Sequence, residues 1–287
     1  MITLFATPKH FSGNINTIQL NALRSWRALS HEIQIIIFGD SDGSKEAAEE
    51  IRAEYIANVK CSPQGTPLLS DMFRQADIKA KFPILTFINA DIILPKTFLS
   101  AVELSANLFN NFLMVGHRWD MDVEEFINFK THSKQNIFWK KVANSSIKHS
   151  PSGIDYFVYR KDQWKNLPNF IIGRPGYDNW LIWRARRNLI PVIDVSDEVV
   201  AVHQNHNYNY RNDTKYNSKS EGFFNRSIIK NRTLNILDCT YKLYEGNIIR
   251  KDDKEFKIRN LYRLPRIFPE LSILIKIYRR IYKYLNE

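Results

Sequence analysis

Cysteine is scarce in this chain. Only Cys61 and Cys239 occur in 287 residues. They lie far apart, in neither a disulfide framework nor a metal spacing, and read as two separate thiols of a reducing compartment. Long apolar runs are missing as well: no stretch approaches the ~20 residues that a membrane-spanning helix needs. The opening segment Met1–Pro8 has no basic leader, and its apolar run is too short for a signal peptide, so it reads as a first strand. There is no internal repeat. Nor is basic charge spread evenly, although the net charge is +11. From Asn207 to Glu287 there are 18 Lys and Arg against 9 Asp and Glu, whereas residues 1–206 hold 23 against 21. A nearly balanced body argues against a nucleic-acid partner, and a basic tail asks for an anionic one.

What is present is an ordinary globular composition, with 44% hydrophobic and 25% charged residues, enough for a sizeable core. Short apolar runs at Ile2–Ala6, Ile33–Phe38, Ile84–Ile88 and Phe112–Val115 read as buried strands. Helical patterns occupy Ile15–Leu29, Ser44–Ala57, Leu68–Lys81 and Pro95–Phe109, the last opening on a proline that suits a first turn. This alternation predicts an α/β fold, a mainly parallel sheet flanked by helices, with ligands beyond the carboxyl ends of the strands. Residues 119–150 read as a helical excursion or loop. Further on, Ile154–Tyr159, Val192–Asp194 and Val199–Val202 read as strands and Tyr177–Arg187 as a helix. All six tryptophans fall between Trp26 and Trp183, which places the packed domain within residues 1–209.

The residues after each strand are the candidate site. Turn chemistry alone accounts for Gly39-Asp40-Ser41-Asp42-Gly43. It does not account for Asn89-Ala90-Asp91, which interrupts an apolar run. A carboxylate there is costly without a partner, and a cation is the natural one. Two further pieces stand out: Gly173-Arg174-Pro175-Gly176-Tyr177-Asp178 ahead of an aromatic helix, and His203-Gln204-Asn205-His206-Asn207-Tyr208 after a strand.

Together these four pieces make residues 1–209 resemble the GT-A superfamily of nucleotide-diphospho-sugar glycosyltransferases, family 2-like members in particular. The resemblance implies a Rossmann-type GT-A fold and transfer of a sugar from a nucleotide-sugar donor to a glycan or lipid-linked acceptor. Asn89-Ala90-Asp91 occupies the place of the family's Asp-x-Asp motif. Asp91 then inherits a divalent metal, Mn²⁺ or Mg²⁺, while Asn89 departs from the pattern. Asp178 matches the general base of inverting members; a helix cap would explain the acid but not the surrounding constellation. His203 matches a metal-contacting histidine. Asp40 and Thr7 match donor contacts, and Asp155 with Gly153 a sugar- or acceptor-facing segment. His117, Arg118, Arg174 and His206 are candidate phosphate or acceptor contacts. Two other readings share the fold: a sugar-phosphate nucleotidyltransferase, whose Gly-rich phosphate loop Ala6–Gly13 matches poorly, and a non-catalytic sugar- or membrane-binding protein.

Residues 210–287 are expected to be a basic, helical tail. Leu271, Leu274, Ile275, Tyr278, Ile281, Tyr282 and Leu285 repeat at helical spacing opposite Lys276, Arg279, Arg280 and Lys283. Such a helix suits an anionic membrane surface, and Pro265 and Pro269 would set it apart. The expectation is a cytoplasmic enzyme, peripheral at the inner face of the membrane.

Overall fold

The computed structural model describes residues 1–206 and 215–286. Its strands are β1 (Ile2–Ala6), β2 (Gln34–Phe38), β3 (Glu54–Ile56), β4 (Ile84–Ile88), β5 (Ile92–Ile93), β6 (Leu113–Val115), β7 (Arg118–Met121), β8 (Ile147–Lys148), β9 (Tyr156–Arg160), β10 (Val192–Asp194), β11 (Ala201–Gln204), β12 (Tyr241–Tyr244) and β13 (Asn247–Arg250). The helices are α1 (Gly13–Arg27), α2 (Ser44–Glu50), α3 (Leu69–Lys79), α4 (Thr97–Leu108), α5 (His132–Ser145), α6 (Tyr177–Arg187), α7 (Lys215–Ile229), α8 (Lys254–Ile267) and α9 (Ser272–Asn286).

The main sheet runs β13-β12-β10-β6-β9-β4-β1-β2-β3. Its pairings are parallel except where β9 meets β4 and β6 and where β13 meets β12. Both faces are covered, which is why β1, β2 and β4 are wholly buried and nearly all apolar. Alternate residues of β1 divide between the faces. Ile2, Leu4 and Ala6 pack with α1, α2 and α4, and Phe5 points the other way, into a core shared with α3 and α6. That second core is aromatic. Phe5 meets Phe73 edge-on at 5.2 Å, and Phe73 stacks on Tyr159 at 5.2 Å. Truncating such a ring to alanine costs about 3–5 kcal/mol.

A second sheet, β5-β11-β7-β8, stands beside the first on a small core that includes Met121, Phe129, Phe138 and Val202. α5 supplies Phe138 and Val142 to it, so residues 119–150 are built structure around the site.

Three sequence expectations change here. The helix expected through Ala57 stops at Glu50, and Glu54–Ile56 is a half-buried strand. Arg52, at φ 54°, turns the chain between them. The strand expected at Val199–Val202 is Ala201–Gln204, which puts His203 inside it. The C-terminal region is largely helical, as expected, but part of it joins the body. Its boundary at 209 lies outside the described residues, and beyond it β12 pairs in parallel with β10, extending the main sheet. α8 is likewise part of the body. Ile267 is fully buried, the Trp183 indole donates to the Arg266 carbonyl at 2.9 Å, and Arg259 pairs with buried Asp238 at 2.7 Å. Pro265 lies inside α8, so the separable element begins only at α9.

Candidate active site

Strand register assembles the site. Asn89-Ala90-Asp91 connects β4 of the main sheet to β5 of the small one. There His203 lies opposite Ile92 across the β5–β11 pair and opposite Asp120 across β11–β7. Three strands thereby bring Asp91, Asp120 and His203 together. The His203 Nε2 atom is 3.7 Å from Asp91 Oδ2, and its Nδ1 atom is 3.1 Å from Asp120 Oδ1. His206, just past β11, puts its Nε2 3.4 Å from Asp91 Oδ2. One ligand atom from each of Asp91, His203 and His206 falls within 4.8 Å of the other two. The Asp91 Oδ1 atom is buried without a hydrogen-bond partner among the described residues. A buried carboxylate oxygen beside two imidazoles fits a divalent cation. Burial pushes the Asp91 carboxyl up, but the His206 hydrogen bond and the charges of His203 and Lys9 outweigh it and hold the group below the usual carboxylate range.

Asn89 does not join that cluster. Its side-chain amide donates to Asp155 Oδ1 at 2.6 Å, and its backbone N–H donates to the Asp155 carbonyl at 2.9 Å. Asn89 thus holds Asp155 from both side chain and backbone. Arg118 is 3.2 Å from Asp155 and 3.0 Å from Asp120, spanning the two carboxylates. Burial and then the nearby Asp91 charge push the Asp155 carboxyl up.

Asp178 lies in the first turn of α6 but does not cap it. Gly176 takes the cap position, at φ 104°, a conformation that glycine adopts without strain. The Asp178 carboxylate accepts from the Asn179 N–H at 2.8 Å. Burial, with the Asp155 charge adding to it, raises its pKa to about 6 against the opposing backbone hydrogen bonds. That suits a group that must take a proton near neutral pH.

One cavity of about 1100 Å³ takes in Thr7, Asn89, Asp91, Arg118, Asp155, Arg174, Asp178, His203 and His206. Gly39, at φ 95°, allows the close approach of Thr7, whose hydroxyl would stand 3.1 Å from any added Cβ. Two expected residues are elsewhere. Asp40 is exposed, and its neighbour Ser41 lines the cavity instead. His117 is buried behind the site, its N–H on Ser196 and its ring on the His149 carbonyl. Arg174 reaches the cavity, but its guanidinium is bound 2.7 Å from Glu221 of α7 and is not available for a phosphate. Sequence reasoning missed Asp120, Glu221 and the cavity-lining residues of α7.

No family model matches this sequence, and neither does any curated protein. Solved structures do. S. aureus TarS (residues 1–349) in complex with UDP-GlcNAc aligns over 94% of this chain and 73% of its own, at 12% identity and a TM-score of 0.52. The chain has the GT-A fold. Glucosyl-3-phosphoglycerate synthase from Mycobacterium tuberculosis, with Mn²⁺, UDP and phosphoglyceric acid, aligns over 78% of each chain at 14% identity. Its TM-score is 0.45.

Proposed function

We propose that this chain is a glycosyltransferase that moves a sugar from a nucleotide-diphosphate donor to an acceptor hydroxyl, with inversion. The observation that carries the reading is the convergence of Asp91, His203 and His206 at one place in a cavity that also holds Asp178. The shared fold adds support, since TarS is seen holding a nucleotide sugar.

Asp91, His203 and His206 would hold a divalent cation. Their mixed oxygen and imidazole donors favour Mn²⁺ over Mg²⁺, which prefers oxygen alone. When bound, that cation supplies Lewis-acid neutralisation of a leaving diphosphate. The protein does the rest. The Asp120 carboxylate, 3.1 Å from Nδ1, would steady the His203 ring, as carboxylates behind metal-bound imidazoles do. Arg118 and Asn89 fix the Asp155 carboxylate towards the donor sugar. Asp178 accepts the proton of the acceptor hydroxyl as its oxygen bonds to the anomeric carbon. The bond from that carbon to the diphosphate breaks on the opposite face, its electron pair leaving with the nucleotide.

We assign α9 to an anionic membrane surface. Leu274 and Tyr278 are exposed by 65% and 57%, while Ile275 packs inward. Lys276, Arg280 and Lys283 lie exposed on the basic side; the side chains of Arg279 and Leu285 lie outside the described ones. No helix among the described residues is long and apolar enough to cross a membrane. The arrangement suits a helix lying in the interface plane and an acceptor delivered there.

The direct test is incubation of the protein with a panel of nucleotide sugars and Mn²⁺, scoring nucleotide release. Release from one donor, lost without the metal, is expected; release from none would refute the reading.

A further inference from the structure

α7 is held against the cavity by charge buried to an unusual depth. Glu221 is 2% exposed. It pairs with Arg174 at 2.7 Å and accepts from Ser62 Oγ at 2.5 Å and Thr66 Oγ1 at 3.1 Å. One turn on, fully buried Asn225 accepts from the Ile171 N–H at 2.9 Å and donates to the Ile171 carbonyl at 3.0 Å. Another turn on, Ile229 sits over Gly176, where an added Cβ would come within 2.4 Å of it. Burying a carboxylate is costly even when it is paired. What these contacts secure is the position of the neighbouring helix face.

That face carries Lys219, Gly222, Phe223 and Arg226, spaced to share one side of the helix, and all four line the cavity. Two independent features mark it as a binding wall. First, its charges are uncommitted. In the same cavity Arg118 faces Asp155 and Asp120, Arg174 faces Glu221, and His10 lies 3.1 Å from Asp42. Among the described residues neither Lys219 nor Arg226 makes an ion pair, and the Arg226 guanidinium lies over the Phe223 ring, 5.5 Å from its centroid. Second, Gly222 is a buried mid-helix glycine with no atom of a described residue within 4 Å of where a Cβ would stand. Alanine would favour the helix by about 1 kcal/mol there, and nothing among the described residues forbids it. The space is kept clear for something that enters the cavity.

We propose that this wall binds a phosphate group carried by the acceptor, with Lys219 and Arg226 as its cationic partners and Gly222 as its clearance. The assignment rests on the proposed function, in which Asp178 marks the acceptor hydroxyl. α7 is packed on the turn that presents Asp178, one helical turn beyond Arg226, whereas the donor's diphosphate belongs with Asp91. Phosphate suits the pair because arginine offers a planar fork of donors and lysine a compact charge. Phe223, 63% exposed, provides an apolar surface beside them.

Calorimetric titration of the full chain, with Mn²⁺ and a nucleoside diphosphate already bound, tests this. One arm uses glycerol phosphate and the other dihexanoylphosphatidate below its micelle concentration. Tighter binding of the lipid indicates a lipid-borne phosphate; equal binding indicates a soluble ester. In both cases the paired substitution Lys219→Ala with Arg226→Ala should weaken the phosphate probe about tenfold or more, with nucleoside diphosphate affinity unchanged. Gly222→Leu should do the same while the protein keeps its melting temperature. The proposal is overturned if no probe binds the loaded protein, if the probe binds the paired variant as well as it binds the wild type, or if that variant loses the nucleotide instead. Failure of the wild type to bind any nucleoside diphosphate would remove the proposed function itself, and this inference with it.

Discussion

The floor of the cavity and the surface of α9 both carry charge, and they use it in opposite ways. On the floor the charged side chains meet in specific pairs. His203 stands between Asp91 and Asp120, and Arg118 between Asp120 and Asp155. Strand register sets those distances, so a shift of one residue would dismantle the cluster. On α9 the exposed residues act by sum. Lys276 and Arg280 lie on one side, and Leu274, Ile277 and Ile281 on the other. The contrast predicts that single substitutions are severe on the floor and mild on α9.

The largest effect should come from Asp178→Asn. An amide keeps the size and the local hydrogen bond to Asn179 but cannot accept the hydroxyl proton. A loss of about 10²–10⁴-fold in kcat is expected, with donor affinity and melting temperature little changed. Near-full turnover would make Asp178 structural. The same group sets the pH profile. With a pKa raised to about 6, it is protonated and inactive as a base below that pH. Turnover should therefore fall as pH drops through 6 and level off above it, and a profile flat from pH 5 to 8 would contradict the assignment.

Next in size is Glu221→Ala, which removes the carboxylate shared by Arg174, Ser62 and Thr66. Breaking a buried pair of this kind costs about 3 kcal/mol, to be read from the denaturant midpoint. A smaller, site-specific effect is expected from Asp120→Asn, which leaves His203 in place but weakens its support. Metal affinity should drop about 10–100-fold, measurable by Mn²⁺ titration with stability nearly unchanged.

The smallest effects belong to α9. Lys276→Ala alone should reduce binding to anionic vesicles by about 1 kcal/mol, and rising salt should weaken it further. Removing Ser272–Glu287 should abolish vesicle binding and leave a folded protein, because Ile267 and Arg266 stay behind. Salt-independent binding, or a truncated chain that fails to fold, would show that α9 instead belongs to the body.

Much of the floor was legible in the sequence because its physics is local. Asp91 interrupts an apolar run and Asp178 follows a Gly-Arg-Pro-Gly turn, so each announces itself without a partner. β3 escaped because Glu54-Tyr55-Ile56 is three residues long and half-buried, with no apolar run to mark it. Asp120 and Glu221 escaped because a buried carboxylate looks like a surface one until its partners are in place, and those lie 83 and 47 residues away at His203 and Arg174. The β12–β13 hairpin did leave a signal. Glu245 and Gly246 both have positive φ, and a Gly-containing two-residue turn between alternating strands is a hairpin signature.

The central claim is that Asp91 anchors a cation for the donor's diphosphate. Calorimetric titration of a nucleoside diphosphate into wild type and Asp91→Ala, each with and without Mn²⁺, tests it most directly. Tight binding only in the wild type with metal, with both proteins equally folded, is the expected result. Equal affinity in all four titrations would contradict the account.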